Sequence, residues 1–359
     1  MNNHIHSPKD LLGSRYLIID YIGEGGMQEV YLAIDQTFTR EVAVKVPKNL
    51  SAEKRFFKSA QTSAKVNHPN VAKTLDYFVE NEREYLVEEL VRGHDLSKRI
   101  DSDFYYLDPH LAAHVIHHLA KGLAASHHAG VFHRDIKPSN IMVSDDPSMS
   151  TIKITDFGIA KLAEEEFNEI DGREDSITGS KTVLGALPFL APEMIDAPKT
   201  AGFAADIWAL GAILYYLIEG EYPFGTGLKA IPNILKAEYT NFSVAYLKKP
   251  IFRPISNEIW EIVKSCLQLD PALRPTADQL VSLCENLCYT SAGRSVGRIA
   301  QFQDGTGNWG FIAQDNGDRV FFHGQNYCGI RPEITGRVNF SKYIGEPHAR
   351  ACPILPIKP

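Results

Sequence analysis

An octapeptide, His-Arg-Asp-Ile-Lys-Pro-Ser-Asn, and an Asp-Phe-Gly turn that follows shortly after it constrain this chain more than any other feature. The octapeptide brings the Asp135 carboxylate, the Lys137 ammonium and the Asn140 amide onto one short loop, and the turn adds a second carboxylate, Asp156. A carboxylate can accept the proton of an attacking hydroxyl group, and an ammonium can neutralise a transferred phosphoryl group. Amide and carboxylate oxygens are ligands that Mg2+ prefers. The pattern therefore predicts phosphoryl transfer to a hydroxyl group.

These motifs resemble the catalytic loop and metal-binding turn of the bacterial, eukaryotic-like (Hanks-type) Ser/Thr protein kinases. The resemblance extends from about Tyr16 to about Cys288. It implies an α+β, bilobal protein kinase fold over residues 14–290, with a β-rich N-lobe at about 14–91 and a helical C-lobe at about 94–290. It also implies ATP and Mg2+ as cofactors, with Mn2+ as a substitute, and a protein as substrate. Asp135, Lys137 and Lys45 would be catalytic, and Asn140 and Asp156 would bind the metal.

The ATP site is predicted at the start of the chain. Alternating apolar residues between Tyr16 and Tyr31 indicate two strands joined by a glycine-rich tip, where backbone N–H groups can approach phosphate oxygens. By resemblance, Lys45 at the end of the next strand holds the α- and β-phosphates, and the backbones of Glu89 and Val91 bind the adenine. The other nucleotide contacts implied by the resemblance are Ile22, Gly23, Gly25, Gly26, Val30, Ala43 and Met142.

Four residues depart from the family pattern. Gln28 replaces the usual third glycine, and Ala186 replaces a threonine that would steady the catalytic loop. Ser59 falls where a helix glutamate normally pairs with Lys45, so either another acid substitutes or the lysine is less firmly held. Glu88 replaces an apolar residue at the back of the adenine pocket, and a buried carboxylate there needs a partner.

The segment after the Asp-Phe-Gly turn is rich in Glu, Asp, Ser and Thr and resembles an activation segment. A phosphate on it could pair with Arg134 and order the segment. Thr182 is the favoured phosphosite because related bacterial kinases often carry a modified threonine three residues before the corresponding glycine. The other candidate phosphosites are Ser180, Thr178 and Ser176. The alternative is an unmodified, flexible acidic loop.

Composition narrows the class of protein. The net charge of −7 argues against a basic nucleic-acid coat, and five scattered cysteines without a Cys-x-x-Cys pair favour reduced thiols. The N-terminal residues lack the apolar core of a signal peptide, and the longest apolar run, residues 207–218, is too short to span a bilayer. A cytoplasmic protein without a membrane segment is therefore expected. His114 and His118 have helical spacing for a metal, but packing histidines are the default interpretation.

After residue 293 the sequence changes to five short strand patterns, at residues 296–302, 309–313, 319–323, 336–341 and 350–354. They predict a small five-stranded β-barrel of the oligonucleotide-binding (OB) type over residues 294–359. Alternation places Trp309 and Phe311 on one face, beside Phe321 and His323 of the next strand. The two motifs resemble those of cold-shock domains, which bind single-stranded RNA or DNA by stacking bases on aromatic rings.

Three alternatives stay open. The aromatic face of the barrel could dock a protein, either the kinase itself or a partner, because Gly307 and Gln301 stand where the family has a lysine and a tryptophan. The four departures in the kinase region also suit a weak or inactive pseudokinase that binds nucleotide as a scaffold. In a third interpretation, the barrel is the main functional unit and the kinase regulates it. Oligomeric state cannot be read from the sequence.

Overall fold

The computed structural model describes residues 4–24, 28–48, 56–57, 60–157, 185–198, 201–290, 292–305 and 307–359. Several predicted features lie outside these residues. They are Gly25, Gly26, Ser59 and the candidate phosphosites Ser176, Thr178, Ser180 and Thr182. The described residues form a β-sheet lobe, a helical lobe and a β-barrel.

The first lobe is built on an antiparallel sheet. Its strands are β1 (Leu11–Leu12), β2 (Tyr16–Glu24), β3 (Gln28–Asp35), β4 (Arg40–Pro47), β5 (Thr74–Glu80) and β6 (Arg83–Glu89). Their order in the sheet is β1-β2-β3-β4-β6-β5. Strand β4 is central and rich in valine. Val42, Val44 and Val46 share one face and are fully buried, and Ala43 and Lys45 on the opposite face are buried as well. The strands predicted from alternation are confirmed.

The second lobe is mainly helical. Its described helices are α1 (Leu96–Asp103), α2 (Pro109–His128), α3 (Pro192–Asp196), α4 (Phe203–Glu219), α5 (Ile231–Lys236), α6 (Arg253–Cys266) and α7 (Ala277–Asn286). Helix α4 includes the apolar run at residues 207–218 and is buried almost throughout. No helix within the described ranges is both long and apolar enough to cross a bilayer.

Helix α2 leads into the catalytic loop and has a well-defined start. The Asp108 carboxylate accepts hydrogen bonds from the backbone N–H groups of His110 and Leu111, and Pro109 occupies the first helical position. A three-stranded sheet is formed by β7 (His94–Asp95), which precedes α1, and by β8 (Ile141–Val143) and β9 (Ile152–Ile154), which follow α2. The catalytic loop enters β8 and Asp156 follows β9, so pairing of these strands brings the two predicted motifs together.

The C-terminal residues form a closed five-stranded barrel, as predicted. Its strands are β10 (Arg294–Gln303), β11 (Trp309–Gln314), β12 (Arg319–His323), β13 (Arg337–Tyr343) and β14 (Arg350–Pro356), in the order β10-β11-β12-β14-β13 around the barrel. Its core contains Ile299, Ile312, Phe322 and Phe340, and Phe302 packs against this core beside Phe322.

Polar contacts fasten the barrel to the helical lobe. The Arg294 guanidinium pairs with Asp108 at 2.5 Å, and both side chains are almost completely buried. The Lys249 ammonium donates to the carbonyls of Tyr327 at 2.6 Å and Gly329 at 3.2 Å. Cys328 and Leu355 of the barrel belong to the hydrophobic core of the helical lobe. The barrel therefore shares part of its core with the lobe that carries the catalytic loop.

Candidate active site

Helix α4 anchors the catalytic loop through hydrogen bonds to the loop backbone. The Asp206 carboxylate, buried in that helix, accepts hydrogen bonds from the backbone N–H groups of His133 and Arg134, each at 2.8 Å. Asp206 therefore holds the backbone of the catalytic loop in place. Arg134 has a positive φ of 67°, which is unfavourable for any residue other than glycine. The hydrogen bonds to Asp206 maintain this conformation.

Three side chains converge at the centre of this loop. The Lys137 ammonium donates to both carboxylate oxygens of Asp135, at 3.0 and 2.8 Å. The Asn140 amide nitrogen donates to the Asp135 carbonyl at 2.8 Å and to its carboxylate at 2.9 Å. The Asp135 side chain keeps 22% exposure. This carboxylate is therefore oriented by two donors and remains open to an incoming hydroxyl group.

The predicted metal ligands lie side by side. The backbone N–H of Thr155 donates to the Asn140 carbonyl at 2.9 Å, which places Asp156 next to Asn140. Because the amide nitrogen of Asn140 is bound to Asp135, its side-chain oxygen is the atom left for a ligand. Asp156 has a positive φ of 62°. Two hard oxygen donors fit Mg2+, and a cation held there would neutralise charge on phosphate oxygens.

Lys45 lies between two carboxylates, those of Glu88 and Asp156. Its ammonium is 2.6 Å from Glu88 Oε2 and 2.8 Å from Asp156 Oδ1, and the Gln28 amide donates to the same Asp156 oxygen at 2.9 Å. Burial favours the neutral amine, but the two carboxylates outweigh it and raise the pKa of Lys45. Burial also opposes ionisation of Asp156, yet Lys45 and Gln28 lower its pKa overall. The partner that Glu88 requires is therefore Lys45.

Two of the residues expected around an adenine ring, Val30 and Ala43, lie on the face of the sheet that carries Lys45 and Glu88. Val30 pairs with Lys45 in the β3–β4 register, and Ala43 pairs with Glu88 in the β4–β6 register. The Glu89 N–H donates to the Lys73 carbonyl, so only its carbonyl is left for an adenine. Ile22 is half-exposed, Met142 is partly buried, and Gly23 has open space where a side chain would project.

A buried ion pair lies elsewhere in the helical lobe. The Arg274 guanidinium binds Glu193 through two nitrogen–oxygen contacts of 2.6 and 2.9 Å, and the Arg274 side chain is completely buried. Arg274 also stacks over the Trp208 ring at 4.9 Å. This pair connects α3 to residues near the C-terminal end of the helical lobe, and it does not involve the residues of the catalytic loop.

Ala186 lines a small cavity beside the catalytic loop, together with Arg134, Asp135 and Phe189. No hydroxyl is supplied there by residue 186, so Asp135 and Lys137 hold each other without it. We expect Ala186→Thr to raise the rate of phosphoryl transfer about tenfold, since a hydrogen bond to a charged group contributes about 1.5–3 kcal/mol. Steady-state kinetics of this variant test the expectation, with Ala186→Val as the shape-matched control. A rate gain shared by both variants would contradict it.

The predicted helix histidines make hydrogen bonds inside the lobe. A ring nitrogen of His114 lies 3.3 Å from the Met149 carbonyl, and a ring nitrogen of His118 lies 2.8 Å from the His114 carbonyl. Burial lowers the pKa of His114 to about 4. These contacts favour the packing interpretation of the two residues.

The aromatic residues predicted on the barrel form one patch. In the β11–β12 register Trp309 pairs with His323, and Phe311 pairs with Phe321. The ring centroids of Trp309 and Phe321 are 6.2 Å apart, and those of Phe311 and Phe321 are 5.8 Å apart. Two residues not predicted join the patch: His348, 5.0 Å from Phe311, and Arg350, whose guanidinium lies 4.6 Å from the Phe321 ring centroid.

Comparisons with known proteins agree with this geometry. The model of the protein kinase domain family matches residues 16–283. A probable serine/threonine-protein kinase of Clostridium perfringens is 30% identical over 77% of this chain and 39% of its own length. Serine/threonine-protein kinase PkaB of Streptomyces coelicolor is 31% identical over 79% of this chain and 65% of its own length.

A solved structure is similar as well. The crystal structure of Rad53 in complex with AMP-PNP matches with a TM-score of 0.57 and 26% identity, covering 74% of this chain and 64% of the other. The chain thus spans less than two thirds of the length of each of these similar proteins.

Proposed function

The chain belongs to the protein kinase family, and we propose that it transfers the γ-phosphoryl group of ATP to serine or threonine hydroxyls of proteins. The observation that carries the proposal is the convergence of Asp135, Lys137 and Asn140 on one loop, with Asp156 beside them. The names of the serine/threonine kinase relatives support the acceptor, and the AMP-PNP bound by Rad53 supports the nucleotide.

Each residue of the site has a definite task in this reaction. Asp135 accepts the proton of the acceptor hydroxyl. The hydroxyl oxygen bonds to the γ-phosphorus, and the bond between the γ-phosphorus and the oxygen that bridges it to the β-phosphate breaks. Lys137, held 2.8 Å from Asp135, balances charge on the transferred group. Asn140 and Asp156 would hold Mg2+, and Lys45 would bind the phosphates that remain on ADP.

We also propose autophosphorylation in the segment after Asp156, at Thr182 or at Ser176, Thr178 or Ser180. The experiment incubates the purified chain with Mg2+ and ATP and maps phosphates by peptide mass spectrometry. Phosphoserine or phosphothreonine on the chain, or on an added protein acceptor, supports the proposal. Nucleotide binding without any transfer would instead support the pseudokinase alternative.

The aromatic patch of the barrel favours a second candidate function, binding of single-stranded nucleic acid. Trp309, Phe311 and Phe321 are only partly buried, and Arg350 places a positive charge at their edge. Exposed rings beside a cation can stack successive bases and contact the phosphate backbone. Protein docking to the same patch is the competing interpretation.

We expect Trp309→Ala to lower the affinity of the full chain for a short single strand by about 5- to 100-fold, because stacking one base contributes about 1–3 kcal/mol. Fluorescence anisotropy with a labelled oligonucleotide measures the change. Phe38→Ala is the control. It removes an exposed ring of the β-sheet lobe, distant in sequence from the barrel, and should leave the affinity for the oligonucleotide unchanged. If the wild-type chain does not bind single strands, the patch serves another partner.

A further inference from the structure

The position of Glu88 follows from the register of the β-sheet. In the pairing of β4 with β6, Lys45 lies opposite Leu86 and Ala43 lies opposite Glu88. Residues two apart on a strand share a face, so Lys45 lies on the same face as Ala43. Lys45 and Glu88 are therefore diagonal neighbours on one face of the sheet. Their charged atoms meet at 2.6 Å, and both side chains are buried.

The two carboxylates that hold Lys45 have different other tasks. Asp156 receives hydrogen bonds from Lys45 and Gln28 and is also a proposed ligand of Mg2+. Within the described residues, Glu88 forms an ion pair with Lys45 alone. A metal cation bound to Asp156 would weaken the electrostatic attraction between that carboxylate and Lys45. Glu88 has no such second task, so its pairing with Lys45 does not depend on a metal.

We propose that Glu88 is a positioning residue that fixes the Lys45 ammonium for the phosphates of the nucleotide. It does so from strand β6, whereas the family resemblance gives this task to a glutamate at the helix position that Ser59 occupies. The inference deepens the proposed function and rests on it, because Lys45 matters here as a phosphate ligand. It also gives a role to an acidic residue that stands where the family pattern has an apolar one.

The test compares ligands with and without phosphates. Glu88→Gln keeps the shape of the side chain and removes its charge. Calorimetry on the full chain is expected to show about tenfold weaker binding of a non-hydrolysable ATP analogue with Mg2+, since hydrogen bonds between charged groups are about twice as strong as neutral ones. Binding of adenosine, which has no phosphate for Lys45, should stay within about twofold.

Glu41→Gln is the matched control. Like Glu88, Glu41 lies on a strand of the β-sheet, here β4, and pairs with a cation, Arg92. Unlike the Glu88 pair, this pair lies at the surface. Its loss should leave the affinities for both ligands unchanged. A loss of affinity for adenosine equal to that for the ATP analogue, or no loss in Glu88→Gln for either ligand, would overturn the proposal. The first result would make Glu88 a wall of the adenine pocket only.

A double-mutant cycle with Lys45→Met tests the coupling directly. If Glu88 acts through Lys45, adding Glu88→Gln to Lys45→Met should weaken binding of the ATP analogue by less than twofold further. Additive losses would contradict the proposal. These are binding measurements, so they decide the role of Glu88 even if the wild-type chain binds nucleotide and transfers no phosphate, which would refute the proposed function alone.

Discussion

Asp135→Asn should reduce phosphoryl transfer by about 10²- to 10⁴-fold, the usual contribution of a positioned general base. The carboxamide has nearly the same shape as the carboxylate, but it cannot accept the proton of the acceptor hydroxyl. The loop should keep its place, because Asp206 holds it through the backbone N–H groups of His133 and Arg134. Nucleotide affinity should therefore stay close to that of the wild type. Transfer from γ-labelled ATP and calorimetric titration measure the two quantities.

Asp145→Asn provides the control for this prediction. Asp145 is an exposed aspartate of the same lobe that pairs with His94 at the surface. Its replacement should change neither transfer nor nucleotide binding. An Asp135→Asn variant that transfers phosphate at the wild-type rate would show that another group accepts the proton. A variant that loses nucleotide binding and transfer together would show that Asp135 is needed for the shape of the site.

Arg294→Ala should lower the free energy of unfolding by about 3–5 kcal/mol, the cost typical of removing one partner from a buried ion pair. The change leaves the Asp108 carboxylate buried without its cation at the start of helix α2. It also removes the hydrogen bond at 2.6 Å between Arg294 and Asn339, which itself donates to the Pro147 carbonyl. Denaturant unfolding of the full chain measures the loss.

The control is Arg331→Ala in the same barrel. Arg331 pairs with Asp304 at 3.2 Å, but both side chains are largely exposed, so the loss should be below about 1 kcal/mol. Equal and small effects of the two variants would mean that the buried pair contributes little to fastening the barrel. A second transition that appears only in Arg294→Ala would show that the barrel has detached and unfolds separately.

Local patterns predicted much of the fold. The strands of the barrel were recognisable because each run has about the length of a strand and turn residues such as glycine, aspartate or asparagine separate the runs. Alternation also placed Trp309, Phe311, Phe321 and His323 on one face, which the strand register confirms. The catalytic residues were recognisable because several chemical tasks fall within one octapeptide. These features depend on neighbours close in sequence.

Contacts between distant residues were not predictable in the same way. The sequence identified Glu88 as a carboxylate in an apolar setting, but its partner depends on β4 pairing with β6 across the sheet. Similarly, the Asp-Pro pair at the start of α2 is a recognisable helix start, yet nothing local indicates that Asp108 binds Arg294, 186 residues later. His348 and Arg350 joined the aromatic patch because barrel closure places β14 beside β12.

The central claim is that an acid, an ammonium, an amide and a second acid act together on ATP. The most direct measurement is the intact mass of the purified wild-type chain and of an added protein acceptor after incubation with Mg2+ and ATP. We predict that one or both gain phosphate. A chain that binds neither ATP nor its analogue, and leaves every mass unchanged, would contradict the account.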